Sequence, residues 1–518
     1  MAIQKIKTFT NLGLQSYEII IEADSNNSLP TIEIIGLPDA AIRESKERLR
    51  ATFRNLDIAL PQLKIILNLS PSDTKKVGTG FDLPMAMAIL SLIYDEQIYH
   101  KDQIQNFLFF WELGLDGKIK RVNGLLPSVI NALKYGYTHF FVPQENLYEL
   151  EYVPWITIYP LTNFEQIITH FLHNKGIDSI TQEKNIQTLQ HQNNDYEVDF
   201  QHIKWHIVAK RALAIAAAGL HNVLMIGAPG SGKTLLSKAL QSILPPLNFE
   251  EILEISQIYS VVGKLNKDLP LITKRPFRQI HHTASKISIV GGWSKLTPGE
   301  ISLAHKGILF FDELTEFPRE TLEVLRQPLE DRFITISRVT GTIQYPANVM
   351  FVASMNPCKC GYYKDPEKQC MCSLQDIKRY QNKISWPLID RIDMILEIPR
   401  ENIDKILDTL PSESSETIRD QVIYARKTQQ KRFSKYQKIF SNSHISSKHI
   451  QKLIPLDKSC KEFLADAARK LILSPRIVHR TMKLGRTIAD MEWSENVEIK
   501  HLAEAMQYRN KTMFVENE

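Results

Sequence analysis

The stretch NVLMIGAPGSGKTLLSKAL constrains this chain more than any other. It reads as an apolar strand, a glycine-rich loop and an amphipathic helix. Gly227, Ala228, Pro229, Gly230, Ser231, Gly232, Lys233 and Thr234 satisfy the pattern G-x-x-x-x-G-K-[ST] in full. Glycines there let successive backbone N–H groups close around a phosphate at the N-terminus of the following helix. Lys233 is expected at the β- and γ-phosphates and the Thr234 hydroxyl on Mg²⁺, which makes ATP and Mg²⁺ the expected cofactors. Such a loop needs a parallel sheet behind it. From about residue 201 to 400 apolar strands alternate with helices, which is the pattern of an α/β fold with a parallel-sheet core.

Three further strand ends belong to the same chemistry. In GILFFDELTEF, Ile308 to Phe311 predict a buried strand that ends in Asp312 and Glu313. Asp312 is expected in the Mg²⁺ shell and Glu313 beside the attacking water. NVMFVASMN is another apolar strand, and Asn356 at its end is expected to reach the γ-phosphate or the water. In PLIDRIDMILEIP, Arg391 precedes a final strand, where an arginine finger would reach a neighbour's γ-phosphate. An ordinary surface ion pair is the competing reading. Arg476, near the start of the helix in LSPRIVHRTMKLGRTIADM, suits a lid arginine on the nucleotide. The catalytic set read from the sequence is therefore Lys233, Asp312, Glu313, Asn356, Arg391 and Arg476.

Directly after Asn356 comes an unusual loop. Cys358, Cys360, Cys370 and Cys372, four of the five cysteines, fall within 15 residues as two C-x-C hooks. No apolar run reaches membrane-span length, and the N-terminus lacks the apolar core of a signal peptide. A reducing cytoplasm is therefore the expected compartment, and clustered thiols there favour metal over disulfides. Four thiolates suit a structural, tetrahedral Zn²⁺, with an iron–sulfur cluster as the alternative. Net charge is 63 − 58 = +5, which permits a polyanionic partner without demanding one.

The flanks differ in pattern from this core. Residues 1–172 mix short apolar runs with helical stretches and predict an α+β domain. Its helix AIRESKERLRATFRN places Ile42, Ser45, Leu49 and Phe53 on one face. Residues 173–200 are rich in Gln, Asn and charge and read as a linker. Residues 401–518 read as a helical lid. Within the core, residues 283–295 form an insert and residues 332–346 a hairpin, with Lys286, Lys295 and Arg338 as candidate phosphate contacts.

These motifs together resemble AAA+ ATPases of the magnesium-chelatase class, and most closely the ComM/YifB family of bacterial competence-associated proteins. The resemblance runs through IEIIGLPDAAIRESKERLRA, GTGFDLPMA, RPFRQIHHTAS, PGEISLAHKGILFFDELTEF and MNPCKCG. It implies an N-terminal domain similar to the Lon protease domain, an ATPase core with a chelatase-type insert and hairpin, and a helical lid. It also implies a hexameric ring that acts as an ATP-driven helicase on single-stranded and branched DNA during transformation, alongside recombination proteins. Two positions depart from the family pattern. Trp205 and His206 stand where relatives carry Gly-Gln before the phosphate loop. Thr79 or Gly80, and Leu126, stand where a Lon-type peptidase needs its Ser and Lys, so the domain is expected to serve DNA or ring assembly without peptidase chemistry. Competing functions are a magnesium-chelatase ATPase subunit and a protein-remodelling ATPase.

Overall fold

Five short apolar runs in the middle of the chain pair into one parallel sheet. The computed structural model describes all residues except 1–2, 73–75, 77–79, 100, 182–183, 187–188, 190–195, 204, 293–295, 339–340, 401–412, 437–438, 510–513 and 515–518. The order across the sheet is Phe277–Ile280, Ile308–Phe311, Met350–Met355, Val223–Ile226 and Met394–Glu397. Every neighbouring pair is parallel. Helices cover both faces of such a sheet, so its inner strands are apolar on both faces rather than at alternate positions, Ser354 excepted. Val223, Met225, Ile308, Phe310 and Val352 enter one hydrophobic cluster. Their chain neighbours Leu224, Ile226, Leu309, Phe311, Phe351 and Ala353 enter another on the opposite face.

This strand order positions the site. The strand ending at Met355 lies between the strand before the glycine-rich loop and the strand before Asp312. Ile226 is opposite Met355 and Phe311 opposite Ala353, so three motifs far apart in sequence leave the sheet side by side at its carboxyl edge. The expected hairpin is present as Phe333–Arg338 against Gly341–Pro346, antiparallel, and its turn residues Val339 and Thr340 lie outside the described residues.

The flanking regions are α+β and helical, as their patterns predict. At the N-terminus Gln4–Leu12, Gln15–Asn26, Lys64–Ser70 and Thr31–Ile35 form a four-stranded sheet in that order. Helix Ala40–Asn55 starts where the Asp39 side chain accepts from the Ile42 N–H, and it buries Ile42, Ser45, Leu49 and Phe53. At the other end, helices Ser415–Phe433, Lys458–Lys470, Pro475–Met491 and Ile499–Gln507 make up the lid. The N-terminal region is docked on the core. Phe9 and Leu125 share a cluster with Ile252, Ile255 and Ile258. The buried Glu149 carboxylate accepts from Ser260 Oγ at 2.7 Å. Described parts of the expected linker also lie against the domain: Ile180 pairs with Ile158, and Lys184 with Glu151 at 2.6 Å. No helix among the described residues is long and apolar enough to cross a membrane.

Candidate active site

The glycine-rich loop runs from the strand Val223–Ile226 into the helix Lys233–Ile243. Gly232 precedes that helix at φ +85°, a conformation that a side chain would strain. Lys233 is buried, and its Nζ donates to the carbonyls of Gly227 at 2.8 Å and Ala228 at 2.9 Å and to Asn356 Oδ1 at 3.4 Å. Burial lowers its pKa to about 8, against the pull of Asp312 and Glu313. Asn356 and Lys233 are thus already in contact, although 123 positions separate them.

Thr234 Oγ1 donates to Asp312 Oδ2 at 3.0 Å, which places the two expected Mg²⁺ groups together. The other oxygen of Asp312 accepts from Ser354 Oγ, and the same Ser354 oxygen accepts from the Glu313 N–H at 3.3 Å. Glu313 sits at φ +52°, and its carboxylate lies 3.9 Å from His282 Nδ1. Asp312 thus faces Thr234 and Ser354 while Glu313 faces His282, so two adjacent carboxylates can serve two tasks. The donor set of Thr234 hydroxyl and Asp312 carboxylate suits a hard cation such as Mg²⁺, and the buried amine with the glycine-rich loop suits a phosphate chain.

Arg391 and Arg476 share one partner, Glu330, away from the phosphate loop. The Arg391 guanidinium donates to the carbonyls of Arg326 at 3.2 Å and Pro387 at 2.7 Å, and to Glu330. Arg476 Nη2 donates to the other oxygen of Glu330 at 3.1 Å. Both line a cavity between core and lid to which no residue of the loop 227–234 contributes.

The four cysteine sulfurs lie within 4.8 Å of one another. Three of the distances are 3.3, 3.5 and 3.7 Å, far longer than a disulfide bond. Four thiolates held at about 2.3 Å from a single ion stand about 3.8 Å apart, so the cluster fits one tetrahedral metal. Burial opposes ionisation of Cys360, but backbone N–H groups of Tyr362 and Met371 outweigh it and its pKa falls to about 6. Cys460 lies elsewhere, buried in the lid, where burial raises its pKa to about 11. The cysteine loop also touches the phosphate loop. Gly361, at φ +86°, packs so closely on Pro229 that a Cβ there would come within 2.5 Å of its ring. Arg400 donates to the Pro229 carbonyl at 3.5 Å and stacks over Tyr362 at 5.5 Å.

Comparison with known proteins shows the family. The family described as magnesium chelatase, subunit ChlI, matches residues 199–406. The descriptions for subunit ChlI of Mg-chelatase and for the ChlI C-terminal region match residues 21–146 and 412–509. Competence protein ComM of Haemophilus influenzae is 35% identical over 98% of both chains. Protein YifB of Salmonella typhimurium is 36% identical over 98% of this chain and 97% of its own. The chain belongs to the ComM/YifB family of magnesium-chelatase-like proteins.

In this ComM/YifB chain the structure adds partners that sequence reasoning did not find. Ser354 was hidden inside an apolar strand, and its only sequence signal is a lone hydroxyl one position from the strand's last residue. His206, noted only as a departure, places Nε2 3.0 Å from the Ser231 carbonyl and so braces the phosphate loop. Glu330 carried no signal at all. Of the candidate phosphate contacts, Arg338 donates to the Gly292 carbonyl at 3.1 Å and so ties the hairpin to the insert. Lys286 is exposed at the start of a short helix, and Lys295 lies outside the described residues. At the peptidase positions, Leu126 is fully buried, Gly80 lines a cavity and Thr79 lies outside the described residues.

Proposed function

We propose that this chain is an ATP-driven DNA motor, working as a cytoplasmic homo-hexameric ring that promotes branch migration when transforming DNA is recombined. One observation carries the mechanistic part of the reading: the machinery is split. Lys233, Thr234, Asp312, Glu313 and Asn356 converge at one sheet edge, while Arg391 and Arg476 are paired around Glu330 in a separate cavity. Guanidinium groups paired on a carboxylate and held apart from their own phosphate loop suit the nucleotide of a neighbouring subunit.

Within one subunit, Lys233 holds the β- and γ-phosphates, and Thr234 with Asp312 would hold Mg²⁺, which when bound would supply charge neutralisation at the phosphates. Ser354 fixes the Asp312 carboxylate. Glu313 takes the proton of the attacking water, and Asn356 orients that water or the γ-phosphate. The neighbour's Arg391, assisted by Arg476, stabilises charge as the bond breaks. The insert and hairpin, tied by Arg338 and Gly292, move with the nucleotide state and pass that motion to the DNA backbone. The cysteine loop carries a structural zinc.

The full-length match to competence protein ComM favours DNA as the substrate over the metal-insertion role that the ChlI family names suggest. The test is migration of a synthetic four-way junction with ATP, run beside Lys233→Ala. ATP-dependent migration lost in the variant is expected. A chain that hydrolyses ATP without moving junctions, and whose rate rises with a protein partner but not with DNA, belongs to the remodelling class instead.

A further inference from the structure

The cavity that holds Arg391 and Arg476 encloses about 350 Å³ between the start of the hairpin, the Arg391 turn and the lid. Arg332, Arg480 and Lys483 also line it, against two carboxylates, Glu330 and Asp393. Asp393 is committed elsewhere. It accepts from Arg480 at 3.0 Å and from the Asn222 N–H at 3.0 Å, and lies 3.6 Å from His221. Glu330 is half-exposed, and its two oxygens each take a different arginine, one from the core and one from the lid. A carboxylate that offers two oxygens to two guanidinium groups has the donor-acceptor pattern of a phosphoryl group in the same place. The rest of the Arg391 guanidinium is anchored. Its Nε and Nη1 donate to the backbone carbonyls of Arg326 and Pro387, and only Nη2 is given to an acidic side chain. That edge can change partner without the side chain moving.

We propose that Glu330 is a displaceable stand-in for the terminal phosphate of a neighbour's nucleotide: it keeps Arg391 and Arg476 paired and oriented, and releases both when a nucleotide-bearing subunit docks. The inference rests on the reading that these arginines act across a subunit interface. Glu330 is then a positioning residue that competes with phosphate, so it sets the subunit concentration at which the ring becomes active. Because the Glu330 carboxylate that both pairs share is half-exposed, each pair shifts that balance only a few-fold, and salt weakens them.

The experiment compares wild type with Glu330→Gln, both also in a Glu313→Gln background where ATP is bound and not consumed. Sedimentation gives the assembly midpoint with ATP, and ATPase assays give the rate per subunit at saturation. Glu330→Gln is expected to lower the assembly midpoint about two- to tenfold, with the saturated rate within about twofold of wild type. The gap between the two proteins should close as salt rises, and Glu330→Asp should restore the wild-type midpoint. An unchanged midpoint, or a lowered saturated rate with that midpoint unchanged, overturns the proposal. Arg391→Ala and Arg476→Ala are assayed in parallel. If neither lowers the rate, the cross-interface reading itself fails. If both lower it and Glu330→Gln shifts nothing, only the role of Glu330 fails.

Discussion

Lys233 is held by the fold in the place that its proposed role requires. Its aliphatic stem is buried with the helix it begins, and its amine is satisfied by two loop carbonyls and an amide. Burial holds its pKa near 8 in the free protein, while a bound phosphate chain favours the charged form and raises it. ATP binding near and above pH 8 must therefore take up a proton, so affinity should be flat below about pH 7 and fall with increasing slope as pH rises through 8. Calorimetry in two buffers of different ionisation heat should find uptake of about half a proton at pH 8. Zero uptake there would mean that Lys233 is already fully charged. Lys233→Ala should lose nucleotide binding. Glu313→Gln should bind ATP and hydrolyse it about 100-fold or more slowly, as loss of a general base requires. Normal turnover in the Glu313 variant would remove that residue from the mechanism.

Among the elements, the cysteine loop has the most to reveal. It grows from the strand end at Asn356 and leans on the phosphate loop through Gly361 and Arg400, so a metal held by the cysteines and a nucleotide on that loop would share a wall. Purified protein should contain about one zinc per chain, lost in Cys370→Ser/Cys372→Ser with most of the fold intact, because the parallel sheet does not depend on this loop. Metal analysis with circular dichroism checks both halves, and iron with visible absorbance would identify a different centre. Gly361→Ala separates the contact from the metal. A side chain at φ +86° costs about 1–2 kcal/mol and would press on Pro229. Weaker ATP binding with the zinc content unchanged is expected. Unchanged affinity would show that the two loops are neighbours without coupling.

For the whole molecule, the prediction concerns the interface. Arg391 is held at a cavity away from its own phosphate loop, so it should act in trans. Neither Arg391→Ala nor Glu313→Gln should turn over ATP appreciably alone. Mixed under conditions where subunits exchange, they should regain part of the activity at interfaces that join an intact Glu313 to an intact Arg391. No recovery at any ratio, with exchange confirmed by fluorescence, would count against the assignment. The docked N-terminal region should move as one body with the core helix Phe249–Val261, since Phe9, Leu125 and Glu149 are buried against it.

Much of this was legible in the linear sequence, because the chemistry depends on local pattern. The glycine-rich loop, the Asp312–Glu313 strand end, the Asn356 strand end and the two C-x-C hooks each need only a strand, a turn and the right side chains within a few residues. Apolar runs bounded by such motifs were enough to assign a parallel α/β core, and helical spacing placed Ile42, Ser45, Leu49 and Phe53 on one buried face. What the tertiary structure alone decided are relations between distant segments. Strand order put Asn356 between the two nucleotide motifs, and no local pattern encodes strand order. Ser354 gained its role from an adjacent strand, Gly361 from a loop more than a hundred positions away, and Glu330 from two arginines supplied by core and lid. A lone Ser, Gly or Glu is chemically unremarkable until packing brings its partner within reach.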